Sequence, residues 1–341
     1  MSNYGLLAQL VQSAALTEQR SLVRTQCSSR LIFWGFDWIF RKIARSGNTG
    51  INAMNRLLLL PLTILVTYSF AQSNRDPIIF HITSAHSSFP DTGRAKGYHY
   101  DDILYSAAEH YNDSSVLIVV PPHLQVKKGL DIICWFHGWR NNIDSVPARY
   151  DLIKQFLESN RNAVLVLAET AKDAPDSYGG KLEQNDQFKM LLSDVLDELK
   201  RKKKIDKNTE IGHVTLAGHS GAFRVIAYIL QNGGVEVGQT ILFDALYSQV
   251  DKFTNWIQAD QSHQFVNLYT NKGGGTDEVS IEMMDLLNKK NIHFIKLEEK
   301  DVNESVLKNN KIIFIHSLKE HNDVINRPDY NFRLYIENPP L

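Results

Sequence analysis

Short apolar runs alternate with segments of helical periodicity along most of the chain. Nearly continuous apolar runs, such as residues 131–136 (DIICWF) and 163–168 (AVLVLA), are typical of strands covered on both faces. Apolar residues spaced by three and four, as in residues 223–230, are typical of amphipathic helices. From Gln72 onward the alternation predicts an α/β fold with a mostly parallel central sheet and helices on both faces, formed by a single domain over residues 72–341.

The same pattern gives approximate positions for the individual elements. Strands are predicted at residues 77–83, 116–120, 131–136, 163–168, 214–217, 240–243, 265–270, 292–297 and 312–315. Helices are predicted at residues 153–157, 187–203, 223–230, 250–257 and 280–289. The polar stretch at residues 169–187 contains Pro and Gly and is long for a connection, so we interpret it as a substrate-binding loop or a lid.

One predicted strand–turn–helix carries a serine at its corner. The apolar residues 214–217 run into GHSGA at residues 218–222, and helical spacing begins at Phe223. A serine hydroxyl is a useful nucleophile only when it is exposed, held in place and served by a base. A sharp turn between small residues exposes Ser220 and holds it. The alternative interpretation is an ordinary connection in which Ser220 caps the helix.

A second strand end offers groups that could bind a developing oxyanion. Ligands of parallel α/β sheets bind beyond the carboxyl ends of the strands. His137, Gly138 and Trp139 follow the strand at residues 131–136 directly. A glycine there lets the next backbone amide, that of Trp139, point at an oxyanion, and the amide of Gly221 would be the second donor. A plain turn is the alternative.

An acid and a base are expected at later strand ends. Asp244 follows the strand at residues 240–243 and could orient a histidine, although it could equally cap the next helix. Asp277, in the glycine-rich loop NKGGGTDE, is the alternative acid. His321 lies on a polar loop after the last clear strand and fits a general base better than His316, which still continues that strand.

With these residues in this order, the chain resembles the α/β-hydrolase family over residues 110–325. More narrowly, it is similar to uncharacterised secreted bacterial members that carry the patterns FHGW, GHSG and LFDALY. The resemblance implies an α/β-hydrolase fold in which Ser220 is the nucleophile, His321 the general base and Asp244 the orienting acid. It also implies that the oxyanion hole is formed by the amides of Trp139 and Gly221.

The sequence departs from the family pattern at two places. Ala222 stands where the nucleophile turn usually ends in glycine, which places one more methyl group in the turn. Asp244 follows the strand next to the serine strand, which is the less common place for the acid in this family. The second departure leaves Asp277 open as the acid.

Composition and charge narrow the range of partners. The 341 residues carry a formal net charge of -1, which gives no case for nucleic-acid binding. The basic run at residues 200–204 follows an apolar helical pattern, so we interpret it as a solvated helix end. Cys27 and Cys134 cannot form a disulfide framework, and Cys134 reads as a small buried hydrophobe. The histidines show no helical metal motif, and we expect no metal and no cofactor.

The first 71 residues differ from the rest. Arg56, an apolar core at residues 57–68 and the small residues of Ser69-Phe70-Ala71 predict a signal peptide over residues 54–71, cleaved after Ala71. The core is shorter than the ~20 residues of a membrane-spanning helix, so no span is expected after cleavage, with an uncleaved anchor as the alternative. Because an export signal belongs at the N-terminus, we interpret residues 1–53 as a non-native upstream extension. An aromatic membrane-surface helix at residues 31–43 is the alternative.

The sequence therefore predicts an exported serine hydrolase, periplasmic or secreted, that cleaves a small-molecule or polymeric carboxylic ester through an acyl-enzyme. Its binding surface would draw on Trp139, residues 169–187, Tyr178 and Tyr247. Two other functions stay open, a non-catalytic periplasmic binding protein of the same fold and a serine peptidase. The sequence indicates neither the identity of the substrate nor the oligomeric state.

Overall fold

The computed structural model describes residues 76–126, 129–272, 274–326 and 330–338. All of them belong to one compact unit, Gln72–Leu341. The predicted upstream extension, the predicted signal peptide and Cys27 lie outside the described residues, and the domain boundaries stay predictions. No helix within the described ranges is both long enough and apolar enough to cross a membrane.

Most strands fall where the apolar runs predict them. They are β1 (Ile78–Thr83), β2 (Tyr98–Tyr100), β3 (Ile103–Tyr105), β4 (Ser115–Val120), β5 (Leu130–Phe136), β6 (Val164–Ala168), β7 (Ile211–His219), β8 (Gln239–Phe243), β9 (Gln264–Thr270), β10 (Ile295–Glu298) and β11 (Ile312–Ser317). The pair β2 and β3 forms a small antiparallel hairpin that the sequence pattern missed. Strand β10 begins later than predicted, at Ile295.

Helices connect the strands and begin or end close to the predicted positions where the apolar periodicity is strong. They are α1 (Ala107–His110), α2 (Val146–Arg149), α3 (Leu152–Glu158), α4 (Gln187–Arg201), α5 (Phe223–Asn232), α6 (Val250–Ala259), α7 (Thr276–Lys289), α8 (Glu304–Asn309) and α9 (Asn331–Glu337). Short 3₁₀ turns lie at Thr92–Arg94, Gly180–Glu183, Ser220–Ala222 and Glu299–Asp301. The predicted helix at residues 280–289 starts one turn earlier, at Thr276.

The main sheet in the described part of the chain has nine strands in the order β1-β4-β6-β5-β7-β8-β9-β11-β10. Only β4 runs against its neighbours β1 and β6, so the sheet is mostly parallel, as predicted. The chain passes from β5 to β6 on one side and then returns to β7 on the other side of β5. In open α/β sheets, ligands bind beyond the carboxyl ends of the strands at such a reversal, which here lies between β5 and β7.

Helices cover both faces of this sheet and bury two apolar layers. On one face α4, α5, α6 and α7 pack residues such as Phe188, Val225, Phe253 and Met283 against the strands. On the other face α2, α3, α8 and α9 supply residues such as Val146, Phe156, Leu307 and Phe332. Because both faces are covered, the central strands are apolar along nearly their whole length. The predicted α/β architecture is confirmed, and Cys134 lies buried in β5.

The stretch at residues 169–187 is packed down rather than standing open as a lid. Gly180 has φ 59°, and a Cβ there would lie 2.0 Å from the Ser88 carbonyl oxygen. The Lys181 N–H donates to that same carbonyl at 2.9 Å. Lys172 is tied to Asp113 by an ion pair of 2.6 Å. Contacts with residues that precede β4 therefore hold this stretch in place.

Candidate active site

Ser220 occupies the sharp corner between β7 and α5. Its φ is 55°, a left-handed conformation that a non-glycine residue rarely adopts, and its side chain is half-buried. This is the strained strand-to-helix turn that lifts a nucleophile out of a sheet. Ala222 fits the turn because Gly218 lies opposite, where a Cβ would come within 2.6 Å of the Ala222 Cβ.

Asp244 follows β8 and lies fully buried, with φ 45°. Its Oδ2 is 2.5 Å from His321 Nδ1. Its Oδ1 accepts the Thr270 N–H at 3.0 Å and the Thr276 hydroxyl. A buried carboxylate is stable only when such donors replace water. The structure therefore surrounds the buried Asp244 carboxyl with hydrogen-bond partners and holds it against His321.

His321 rests on a second, neutral histidine. The His219 ring lies 4.5 Å from the His321 ring, and His219 Nε2 donates to the His321 carbonyl oxygen at 2.9 Å. Burial, followed by the nearby His321, lowers the pKa of His219 to about 3. The Tyr150 hydroxyl lies 3.4 Å from His219 Nδ1. His219 thus holds the loop that carries His321 and adds no charge beside it.

Tyr247 connects the serine to the histidine. Its phenol is hydrogen-bonded to the Ser220 side chain, and its ring centre is 6.3 Å from that of His321. Burial, and then the charge on Asp244, raise the pKa of Tyr247, so the phenol stays neutral. The predicted nucleophile, base and acid are therefore gathered at the carboxyl ends of the strands.

The turn after β5 touches the Ser220 corner. A Cβ on Gly138 would lie 2.6 Å from the Ser220 Cβ and 3.2 Å from the Gly221 nitrogen, so only glycine permits this approach. A Cβ on Gly221 would lie 2.5 Å from Trp139 Cδ1. The two residues predicted to supply the oxyanion hole, Trp139 and Gly221, lie side by side next to Ser220.

A buried pair behind this turn was missed by the sequence reasoning. His137 Nε2 lies 2.6 Å from Glu169 Oε1, and both side chains are almost completely buried. Burial opposes the charged imidazole, but the hydrogen bond and charge of Glu169 outweigh it and raise the pKa of His137. Glu169 follows β6 directly, so a polar residue at the end of a buried strand was the available signal.

The two alternative residues lie elsewhere in the fold. Asp277 sits half-buried in the first turn of α7, where its charge complements the positive end of the helix dipole. Its neighbour Thr276 is the residue that donates to Asp244. His316 continues β11 and pairs with Glu298 at 2.8 Å. Within the described residues, no group of three or more His, Cys, Asp or Glu could hold a metal ion.

Two pairs of aromatic side chains belong to the segments around Ser220. Trp139 is 40% exposed and packs edge-on against Tyr100, with ring centres 5.4 Å apart. Its indole nitrogen donates to the Ser177 hydroxyl at 2.8 Å. The ring centres of Phe223 and Tyr247 lie 5.9 Å apart. Tyr178, expected at the same surface, donates to Asp91 at 2.7 Å.

The comparisons with known proteins give structural likeness alone. No family model and no curated protein matches the chain. A feruloyl esterase module from Clostridium thermocellum is similar with a TM-score of 0.48 and 12% identity, covering 78% of this chain and 91% of the module. FphF, a fluorophosphonate-binding serine hydrolase of Staphylococcus aureus, is similar with a TM-score of 0.46 and 11% identity, covering 77% and 98%. At these values the likeness carries no argument about activity.

The chain's own architecture identifies its fold. The sheet has one antiparallel strand near its edge, a reversal at β5 and parallel strands beyond it. The strand–turn–helix with Ser220 at positive φ stands at that reversal. An acid and a histidine from later strand ends meet beside it. This chain has the α/β-hydrolase fold, with Ser220 at the turn between β7 and α5.

Proposed function

We propose that this protein is a serine hydrolase that cleaves carboxylic esters through an acyl-enzyme. The observation that carries the proposal is the 2.5 Å contact between buried Asp244 and His321 Nδ1, next to a serine on a strained turn. Bonding at Nδ1 leaves His321 Nε2 for proton transfer. No feature of the described residues favours a binding protein over this chemistry.

In the proposed reaction, the Ser220 oxygen attacks the ester carbonyl while His321 Nε2 takes the serine proton. Asp244 stays ionised and stabilises the imidazolium formed. The amides of Trp139 and Gly221 donate to the oxyanion. Collapse of the intermediate expels the alcohol, which takes the proton from His321. Water activated by His321 then attacks the acyl group and releases the acid and free Ser220.

We further propose that the ester carries an apolar or planar group. The support is the two aromatic contacts of the segments around Ser220, between Tyr100 and Trp139 and between Phe223 and Tyr247. An exposed indole offers a large apolar face that costs little conformational entropy to use. Removing it with Trp139→Ala should raise KM more for an aryl ester than for an acetate.

Hydrolysis of short activated esters by purified residues 72–341 tests the proposal. Intact mass after brief exposure to the ester should show an added acyl group, and digestion should place it on the peptide containing Ser220. A peptide amide of matched acyl group is the comparison for peptidase activity. Absence of both turnover and an acylated species would reject the hydrolase.

Export of the protein is also proposed. The support is the sequence at residues 54–71, with a basic residue, an apolar core and small residues before the expected cleavage position. N-terminal sequencing of protein recovered from the cell envelope or the medium should give a start near Gln72. A start upstream of Met54 would contradict the export proposal.

A further inference from the structure

The inference concerns the buried histidine and glutamate behind the turn after β5, and it rests on the proposed function. His137 and Glu169 have side chains that are 2% and 0% exposed. Ion pairs buried this deeply often add little stability, because desolvation of two charges offsets their attraction. The site chemistry does not use either group directly. Their contacts indicate what they hold in place.

The His137 ring is held at both nitrogens. Nε2 lies 2.6 Å from Glu169 Oε1 and 2.9 Å from the Thr170 hydroxyl. Nδ1 lies 2.8 Å from the Gly138 carbonyl oxygen. The Gly138 carbonyl oxygen can only accept, so Nδ1 carries a proton, and the neighbouring Glu169 favours a proton on Nε2 as well. The ring therefore bridges the Glu169 carboxylate to the Gly138 carbonyl.

Glu169 is fixed in turn by the backbone around it. Its Oε2 accepts the Ile143 N–H at 3.2 Å, and its Oε1 accepts the Thr170 N–H at 3.2 Å. Ile143 lies on the chain that leaves the β5 turn, whereas Thr170 follows β6. One carboxylate thus ties together two chain segments and the imidazole, which leaves the Gly138 carbonyl a single orientation.

The direction of the Gly138 carbonyl decides the direction of the next amide. A trans peptide is planar, so the Trp139 N–H points opposite to the Gly138 C=O. With the carbonyl turned toward His137, the Trp139 N–H faces away from the buried pair. Gly138 itself lies against Ser220, since a Cβ there would be 2.6 Å from the Ser220 Cβ.

We propose that His137 and Glu169 are positioning residues for the oxyanion hole, which they act on by holding the Gly138–Trp139 peptide with the Trp139 N–H directed at the reacting carbonyl. Neither side chain touches the substrate. Oxyanion donors act mainly in the transition state, so loss of their alignment lowers kcat and leaves KM nearly unchanged. A purely structural role would instead lower the stability without this split.

Glu169→Gln tests the proposal, with Glu236→Gln as a control at a second glutamate–histidine pair, whose glutamate is 79% exposed. Glu236 also lies 2.6 Å from a histidine, His263, whose Nδ1 also lies near a backbone carbonyl, that of Trp256 at 2.6 Å. Glu236 precedes β8 and His263 precedes β9, so this pair lies at the amino ends of the strands, whereas Ser220 lies at the carboxyl end of β7. On a short activated ester, Glu169→Gln should lower kcat by about 10²- to 10³-fold, the loss seen for one oxyanion donor. Glu236→Gln should keep the unmutated kcat.

The outcomes separate this proposal from the proposed function. If Glu169→Gln turns over the ester with the same kcat as Glu236→Gln, or if only its KM rises, the positioning role is overturned. If Glu169→Gln does not fold, Glu169→Asp keeps the charge, and its kcat should fall in the same way by a smaller factor. If the unmutated protein hydrolyses no ester, the hydrolase proposal fails, and ¹⁵N-tryptophan labelling still tests the inference. The Trp139 backbone amide should then shift in Glu169→Gln and not in Glu236→Gln, and an unmoved amide would overturn the role.

Discussion

At the scale of single residues, the geometry of the site depends on the hydrogen bonds that the Asp244 carboxyl makes. Asp244 receives His321 on one oxygen and Thr270 and Thr276 on the other. Hydrogen bonds donated to a carboxylate favour its charged form. The imidazole is then held at Nδ1, the geometry that a general base requires. Asp277 has a different use, at the positive end of a helix.

The first prediction compares these two acids. Asp244→Asn should lower kcat by about 10⁴-fold, because the amide favours the wrong imidazole tautomer. Asp277→Asn is the matched control, one strand later and half-buried, and should change kcat little. Turnover of an activated ester by both variants measures the difference. A large loss for Asp277→Asn with an active Asp244→Asn would move the acid to Asp277.

The second prediction concerns His219 and pH. Its pKa of about 3 in the folded state lies below the unfolded value of about 6.5. Between these values the unfolded chain binds the extra proton, so stability from His219 is present above pH 6.5 and is lost as the pH falls toward 3.

Denaturant unfolding of the unmutated protein and of His219→Gln at pH 7 and pH 5 measures this effect. Glutamine keeps a donor for the His321 carbonyl and removes the titrating group. The advantage of the unmutated protein should shrink by up to about 1.4 kcal/mol for each pH unit below 6.5. A difference in unfolding free energy that stays constant from pH 7 to pH 5 would contradict a neutral, buried His219.

At the scale of elements, the contact between the β5 turn and the Ser220 corner sets the geometry. Gly138→Ala should lower kcat by about 10²-fold or more, since its Cβ would displace Ser220 and small misplacements have effects of this size. Gly129→Ala is the matched control at the other end of β5, where a Cβ would lie 2.8 Å from the Gly212 Cα. It should lower the melting temperature and keep kcat. Equal kcat for both variants would show that the contact is not needed.

The packed stretch at residues 169–187 makes a further prediction at this scale. Lys172 and Lys181 lie in it and are bonded to Asp113 and to the Ser88 backbone. Limited trypsin digestion of folded residues 72–341 should spare both lysines and cut first at the exposed Lys203 and Lys204 after α4. Early cleavage after Lys172 or Lys181 would contradict this packing and support the interpretation of residues 169–187 as a lid.

Elements were predictable to the degree that their own periodicity marks them. The buried strands β5, β6 and β8 are apolar runs, and the elbow at Ser220 has a local motif. The hairpin of β2 and β3 and the short helices α1 and α2 have no strong period, because they are too short and half-exposed. Their positions depend on contacts with distant segments.

For the site, too, local sequence patterns predicted some positions, whereas contacts between distant segments could be found only in the fold. The positions of Ser220, Gly138 and Asp244 at strand ends could be predicted from sequence. The contacts of Glu169 and Thr276 could not, because they depend on which segments the fold brings together. That Asp244 rather than Asp277 contacts His321 likewise needed the positions of β8, β9 and the His321 loop.

At the scale of the whole molecule, the order of the strands explains why the site lies where it does. The chain reverses direction across the sheet at β5, and ligands of open α/β sheets bind at the carboxyl ends beside such a reversal. The turn with Gly138, the corner with Ser220 and the Asp244 carboxyl follow β5, β7 and β8, which lie side by side. Helices cover both faces of these strands, and the later loop brings His321 to Asp244.

The central claim is that Ser220 is an activated nucleophile, and labelling with a fluorophosphonate probe tests it most directly. Purified residues 72–341 should become labelled, and the label should be found on the peptide that contains Ser220. Ser220→Ala, folded to the same melting temperature within error, should take up no label. An unlabelled unmutated protein, or labelling that survives Ser220→Ala, would contradict the account.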